Sequence, residues 1–330
     1  MGEERQDISS EELAVDPGLL FETLPSIDIL NEFYRANGWD ADYRQITPGP
    51  LRLQIAGRLI GDVALFREFY GQRIASATQT PDDTVSILVA LSAEEFRVSG
   101  HTGNQDTFVI VPPGTAVNIG APGGGDGVTI DIPKTMFQEF LHAVAGLDSA
   151  SPAEQIASFR PGRRRLAPLH QLCKEFLSTA DYRRPEHGDD ARIVTHLCKL
   201  LRNPASRPIG GDPHRRISKD RVVRRAKDYI HAHLDDGIRV PDLSRYSAVS
   251  LRTLERTFQQ EIGVTPNQYV QAARLHEARH ELRNEDAVHH RVADIALKCG
   301  FTHMGRFSQQ YHRHFGVLPS EDRATARRQG

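Results

Sequence analysis

The spacing of apolar positions changes along the chain, and each change marks a different kind of element. Residues 26–37 repeat at helical spacing, with Ser26 placed to cap the start and Gly38 to stop the end. From residue 51 the pattern becomes short β-branched runs at 51–56, 63–69, 85–91, 96–99, 107–111 and 128–132, separated by Gly, Pro, Asp or Asn. Short strands with turn residues between them predict a β-sandwich or barrel. Residues 109–115 set a strand directly before a tight turn, and the glycine-rich run 121–127 reads as a mobile hairpin tip. That run is no phosphate loop, because no Lys-Ser/Thr follows and no helix opens there. Beyond Pro133 the period turns helical. Met136, Phe137, Phe140, Leu141 and Val144 share a face; so do Leu166, Leu169, Leu172, Cys173, Phe176 and Leu177, and then Ile193, Val194, Leu197, Leu200 and Leu201. These stripes either cover the β region or pair with a second copy of the chain.

Residues 203–213 hold three prolines, two glycines and no apolar period, which is linker composition. Residues 182–190 read as a loop between helices. After the linker a helix starts at Ser218, with Asp220 in its first turn, Val222, Val223, Ala226, Tyr229, Ile230 and His233 on or near one face, and Gly237 as its stop. Val240-Pro241-Asp242-Leu243-Ser244 opens the next helix, Ala248-Val249 breaks it, and Ser250 caps a helix ended by Gly263. The same order recurs about 52 residues later, in Val292-Ala293-Asp294-Ile295-Ala296, Gly300-Phe301-Thr302 and Gly316-Val317-Leu318-Pro319. Tyr311 stands for Phe258 at an offset of 53, so the second copy has one extra residue at its turn. Two helices joined by a short turn, the second opening on a Ser/Thr cap, form a DNA-reading helix–turn–helix, and here the layout is duplicated. Residues 266–283 between the copies read as one helix of about 27 Å at 1.5 Å per residue. That length suits two reading helices spaced about one DNA turn, roughly 34 Å, apart.

Composition adds limits. The chain has 330 residues, 39% hydrophobic and 25% charged, enough for two or three ordinary globular domains. No apolar run approaches the roughly 18–20 residues of a membrane span. Residues 1–13 are acidic and lack an apolar stretch, so no signal peptide and a cytoplasmic location are expected. The three cysteines, Cys173, Cys198 and Cys299, are far apart and odd in number, which fits a reducing compartment and neither a disulfide framework nor a CxxC zinc site. The formal net charge of -2 conceals a split. Residues 1–213 carry 20 basic and 29 acidic side chains, residues 214–330 carry 21 and 14, and ten of the 15 histidines lie in the second part. A basic part joined to an acidic body is the asymmetry expected when one half meets phosphate.

With these features in hand, residues 292–320, VADIALKCGFTHMGRFSQQYHRHFGVLPS, resemble the second helix–turn–helix and signature of the AraC family of bacterial transcription regulators. The resemblance extends over residues 218–320, about a third of the chain. Residues 43–49, YRQITPG, are similar to the ethanolamine-utilisation regulator type. The resemblance implies an N-terminal β-barrel that binds an effector, with helices that dimerise. One departure is Ala248, where the second copy has Gly300, so the first turn is expected to be less sharp or shaped by Val249.

The fold expected is α+β: a cupin-like β-barrel over about 43–135 with flanking helices over 133–202, and an all-α C-terminal domain with two helix–turn–helix motifs joined by a linker helix. Residues 1–202 form the effector-binding and dimerisation domain, 203–217 the linker, 218–320 the DNA-binding domain and 321–330 a tail. In the first copy Leu251, Leu254 and Phe258 are read as inward, leaving Arg252, Glu255, Arg256 and Gln259 for DNA. Arginine reaches guanine O6/N7 or phosphate and Glu accepts from cytosine N4. These positions match the family's base-reading ones. In the second copy Phe301, Phe307, Tyr311 and Phe315 are read as core, leaving His303, Met304, Arg306, Ser308, Gln309 and Gln310. Gln pairs with adenine and Met304 would touch a thymine methyl. Any single outward Arg is otherwise a solvated surface residue. Arg221, Arg224 and Arg225 are read as phosphate contacts or surface charge, which cannot specify sequence.

Enzyme readings find less support. The β region offers one imidazole, His101, where a cupin metal site needs several, and no Gly-x-Ser-x-Gly elbow occurs. Trp39, Tyr43 and Phe69 are candidates for a pocket, although buried aromatics are more often core. His276-Glu277-Ala278-Arg279-His280 matches the His-Glu-x-x-His zinc motif, yet it lies on the spacer helix with no evident third ligand. The expectation is therefore a non-enzymatic regulator without cofactor. Its partners are double-stranded DNA, a small-molecule effector that the sequence leaves unknown, a second copy of the chain, and RNA polymerase if it activates. The rivals are a ligand-independent DNA-binding protein and a cupin-type enzyme.

Overall fold

The computed structural model describes residues 20–21, 24, 26–146, 154–177, 184–203, 213–234, 238–284 and 290–326. By their contacts these fall into two units: residues up to 43, 52–71 and 76–203 in the first, and 44–51, 72–75 and those from 213 onward in the second. Residues 1–19, most of the linker (204–212) and Gly237 lie outside the described residues.

In the first unit β1 (Leu20–Phe21) and α1 (Ile27–Ala36) lead into β2 (Asp40–Gln45), β3 (Leu53–Ile60), β4 (Val63–Tyr70), β5 (Ile74–Gln79) and β6 (Thr84–Ala90). Then come β7 (Phe96–Val98), β8 (His101–Gly103), β9 (Phe108–Val111), β10 (Ala116–Ala121) and β11 (Gly125–Pro133). The helix α2 (Lys134–Phe140) passes into a π-helical turn at Leu141–Ala145, and β12 (Ala157–Phe159), α3 (Arg163–Leu177) and α4 (Asp189–Arg202) complete the unit. α1 starts after Ser26 and closes at Gly38, whose φ of +82° suits glycine.

The strands form two sheets rather than the single closed barrel expected. One has seven strands in the order β1-β3-β4-β11-β6-β9-β12, the other five in the order β2-β5-β10-β7-β8. The glycine-rich run is not a hairpin tip, because β10 belongs to the smaller sheet and β11 to the larger. It is the crossover between sheets. Strand alternation explains the two cores. Leu65 of β4, Ile87 and Val89 of β6 and Ile130 of β11 pack with Phe137, Leu166, Phe176, Ile193 and Leu197 of the helices. On the other side Leu88, Val109 and Val111 meet Val98, Val117 and Ile119 of the smaller sheet. The larger sheet is thus covered on both faces, which is why β6 and β9 read as continuous apolar runs. The strands β2, β5 and β10 carry few large apolar residues among small and polar ones, and their sequence pattern does not announce them.

The second unit is helical: α5 (Pro213–Ala232), α6 (Val240–Tyr246), α7 (Leu251–Glu261), α8 (Pro266–Arg283), α9 (Val292–Lys298), α10 (Met304–Phe315) and α11 (Pro319–Ala326). Residues 213–217, read as linker, belong to α5, and the expected tail contains most of α11. Among the described residues no helix is long and apolar enough to cross a membrane.

Candidate nucleic-acid interface

The pairs α6/α7 and α9/α10 are built alike. After α6 the amide of Ala248 donates to Arg245 O and that of Val249 to Ser244 O, both at 3.1 Å. After α9 the amide of Gly300 donates to Leu297 O and that of Phe301 to Ala296 O, both at 2.9 Å. Gly300 takes φ +80°, and Ala248 takes φ +55°. Ala248 therefore enters the same left-handed conformation as its glycine counterpart, and the first turn is as sharp as the second. Ser244 Oγ fastens it by donating to Val249 O at 2.6 Å. Ser250 caps α7, its side chain accepting from the Thr253 amide. α10 differs: its cap position is His303, one residue past Thr302, with no side-chain cap bond. The extra residue of the second copy sits there.

α8 joins the pairs by entering both cores. Tyr269, Val270, Ala272 and Ala273 pack with Val223, Leu243, Leu254 and Phe258. Leu275, Ala278 and Leu282 pack with Ile295, Ala296, Phe307 and Tyr311. Thr265 and Gln268 close a reciprocal capping box at its start. At its far end Arg279 and Arg283 grip Asp322 of α11 at 2.8 and 2.7 Å, and the Tyr311 hydroxyl donates to the same carboxylate at 2.7 Å. Burial alone would raise the Asp322 pKa; Arg279, the Tyr311 hydroxyl and Arg283 outweigh it and hold the group below its ordinary value.

On α7, Arg252, Glu255, Arg256 and Gln259 are all exposed and form one i, i+3, i+4, i+7 stripe opposite buried Leu254 and Phe258. Arg252, Glu255 and Arg256 make no ion pair among the described residues, whereas Gln259 Nε2 donates to Gly263 O at 3.3 Å. Leu251, read as inward, is 42% exposed. On α10, His303, Arg306 and Gln309 are exposed and Ser308 and Gln310 are half-buried. Met304 packs partly against the second core, so the sequence reading placed it too freely. Aligned on Phe258 and Tyr311, the counterparts of 252, 255, 256 and 259 are Gly305, Ser308, Gln309 and His312. His312 is exposed and was missed; its signal was the constant offset of 53. A Cβ at Gly305 would meet nothing within 4 Å, so packing does not require glycine there.

The zinc-like pair on α8 divides. His276 Nε2 lies 2.9 Å from Gln45 O, and its ring packs edge-on against His314 and Phe315, while His280 is exposed. In the first unit, His101 Nδ1 lies 3.2 Å from Ser158 Oγ.

A second feature lies between the sheets of the first unit. A small cavity is lined by Tyr43, Glu68, Tyr70, Leu88, Phe96 and Thr129 among others. The Tyr70 hydroxyl donates to Glu68 Oε2, and Trp39 Nε1 donates to Asp131 Oδ2 at 2.8 Å. Burial pushes the Glu68 carboxyl up to about 8, with the Tyr70 hydrogen bond opposing and Asp131 adding. Burial likewise lifts Asp131 to about 6. Of the three aromatics proposed for a pocket, Tyr43 lines it, Trp39 stands behind Asp131, and Phe69 lies on the opposite face of β4 from Glu68 and Tyr70. Glu68 and Tyr70 were legible only through strand parity, as polar groups on an inward face.

Residues 243–325 match a helix-turn-helix domain family model. The chain is 39% identical over 104 residues to a probable thc operon regulatory protein of Rhodococcus erythropolis, covering 32% of this chain and 31% of that one. It is 31% identical over 155 residues to the XylDLEGF operon transcriptional activator of Pseudomonas putida, covering 46% of each. A solved AraC-type DNA-binding-domain regulator from Chromobacterium violaceum is 32% identical, with 33% of this chain and 95% of that one covered and a TM-score of 0.31. The chain spans just under a third of the length of the first of these curated relatives and just under half of the second.

Proposed function

The chain belongs, through its C-terminal helical domain, to the AraC family of helix-turn-helix transcription regulators, and from that premise we propose that it regulates transcription by reading a specific DNA site with both helix pairs. The observation that carries this reading is the exposed stripe Arg252, Glu255, Arg256 and Gln259 on α7, with its counterpart Ser308, Gln309 and His312 on α10. Arg252 and Arg256 reach guanine edges or phosphate, Glu255 accepts from cytosine and Gln309 pairs with adenine. His303 and Arg306 stand at the start of the second reading helix, where groove-facing residues concentrate. Met304 presents its free side to a thymine methyl.

Control by a small-molecule effector is the reading the cavity between the sheets supports over a ligand-independent protein. An effector acts only if it binds one state of the molecule better than another. A homodimer, contact with RNA polymerase for an activator, and a cytoplasmic site of action complete the proposal.

Arg256→Ala tests it. Specific binding to the operator should weaken by about 1–3 kcal/mol, read by DNase footprinting and fluorescence titration on a site found by genome-wide binding-site mapping. Binding should also fall steeply with salt, as counterion release requires. An unchanged footprint and affinity would remove Arg256 from the interface.

A further inference from the structure

The cavity between the sheets exists because of small residues. In the register of the larger sheet Glu68 pairs with Gly127, and Gly127 pairs with Ala90. Directly paired residues share a face, so next to the Glu68 carboxyl two successive positions offer almost no side chain. About 50 Å³ of the space is free to the centre of a water molecule. That space suits a compact head group rather than a bulky one.

The chemistry of the lining has one sign. Three acidic side chains, Glu68, Glu94 and Asp126, line the cavity, and no Lys, Arg or His does. Asp126 is already bound by Arg67 through two bonds of 3.0 and 2.9 Å, and Glu94 is exposed. Glu68 is different. Its Oε2 accepts from Tyr70, but its Oε1 is buried and has no hydrogen-bond partner. A buried acceptor left without a donor costs about 1–3 kcal/mol, more for a charged group. The rings of Tyr43 and Tyr70 flank the same space, and Leu88, Phe96 and Ile119 form an apolar remainder. A buried carboxyl oxygen with no partner, aromatic faces and an apolar wall are the parts of an ammonium site.

We infer that this cavity binds a small organic cation, an ammonium head on a short apolar stem, with Glu68 Oε1 as its hydrogen-bonded counter-ion. The inference rests on the effector reading given above and names the class of ligand. The cation takes the place of the proton that burial holds on the empty carboxyl, so near neutral pH binding releases a proton to the buffer. The groups facing Glu68 do not supply that proton: Tyr43 and Tyr70 are shifted further up by burial, and Asp131 ionises near 6.

The test uses the full chain and three probes of one size and different charge: propylammonium, propanol and propionate. Propylammonium should raise the thermal unfolding midpoint in a dose-dependent way, with propanol weaker and propionate inert. Calorimetry in two buffers of different ionisation enthalpy should show proton release with propylammonium alone. Glu68→Gln should weaken propylammonium by about 10- to 100-fold, the worth of a charge-assisted bond. Should that variant not fold, Ala90→Leu, which fills the cavity and keeps the carboxyl in the chain, should abolish binding. Propanol or propionate binding as well as the cation, or no probe binding, overturns the inference. If propionate rather than propylammonium changes operator affinity, this ligand class fails while effector control stands. If propylammonium binds through Glu68 and leaves operator affinity unchanged, the site stands and effector control fails.

Discussion

Ala248 shows how one residue records the demand of a turn. The left-handed conformation costs an L-residue about 1–2 kcal/mol, and Ala248 adopts it at φ +55° where the second helix pair has Gly300. Ala248→Gly should therefore stabilise the chain. The gain should be at most about 1 kcal/mol, because glycine gives back about 0.5–1 kcal/mol in unfolded-chain entropy. A urea midpoint that falls would show that the turn does not strain Ala248. A second residue-scale effect is the histidine pair of the second unit. Burial pushes the His314 imidazole from 6.5 down to about 4; its hydrogen bond with Gln45 opposes this and Arg279 adds to it. His276 is held low in the same sense, first by burial and then by His314. These two imidazoles thus bind fewer protons in the folded chain than in the unfolded one between pH 4 and 6.5, so the stability they contribute is full above that window and falls as pH drops through it. The loss from His314 should reach about 3 kcal/mol, read from the helical transition in urea melts across pH. His314→Gln should flatten that part of the profile.

At the scale of elements, α8 and α11 decide how the two helix pairs are held. The front half of α8 belongs to the core of the first pair and its rear half to that of the second. One residue inserted in its middle would turn the second pair by about 100° and shift it by about 1.5 Å. The footprint should then shrink to the segment read by one pair, and an unaltered footprint would mean that the pairs act independently. α11 is fixed to α8 and α10 by Asp322, whose carboxylate is 3% exposed and meets Arg279, Arg283 and Tyr311. Asp322→Asn leaves two arginines facing a neutral group and should cost about 2–4 kcal/mol in a denaturation melt. A variant as stable as the parent would show α11 to be dispensable. This helix was hidden in the sequence because residues 319–326 carry no apolar stripe. Its anchor is a charge, and charge anchors are invisible until their partners are in place.

For the whole molecule, the charge split between residues 1–213 and 214–330 sets the basic part apart, and the duplicated helix pairs lie within it. Long periodic elements such as α3, α4, α7, α8 and α10 were legible, because their burial is decided by local spacing. The outward stripe of α7 was legible for the same reason: once Leu254 and Phe258 are inward, Arg252, Glu255, Arg256 and Gln259 must be outward. Leu251 faces outward against its reading and Met304 is half-buried, since residues at a helix start take their burial from the neighbouring helix rather than from their own period.

By itself the sequence determined the helical repeats, the turn residues between them and the sign of charge in each half, because each depends on near neighbours in the chain. Tertiary structure alone decided that the strands divide into two sheets and that the glycine-rich run crosses between them. It also decided that Glu68 is left beside Gly127 and Ala90 with an unmet oxygen. Those facts depend on strand register, which joins residues far apart in the chain, and a single step of register would turn Glu68 to the other face of its sheet.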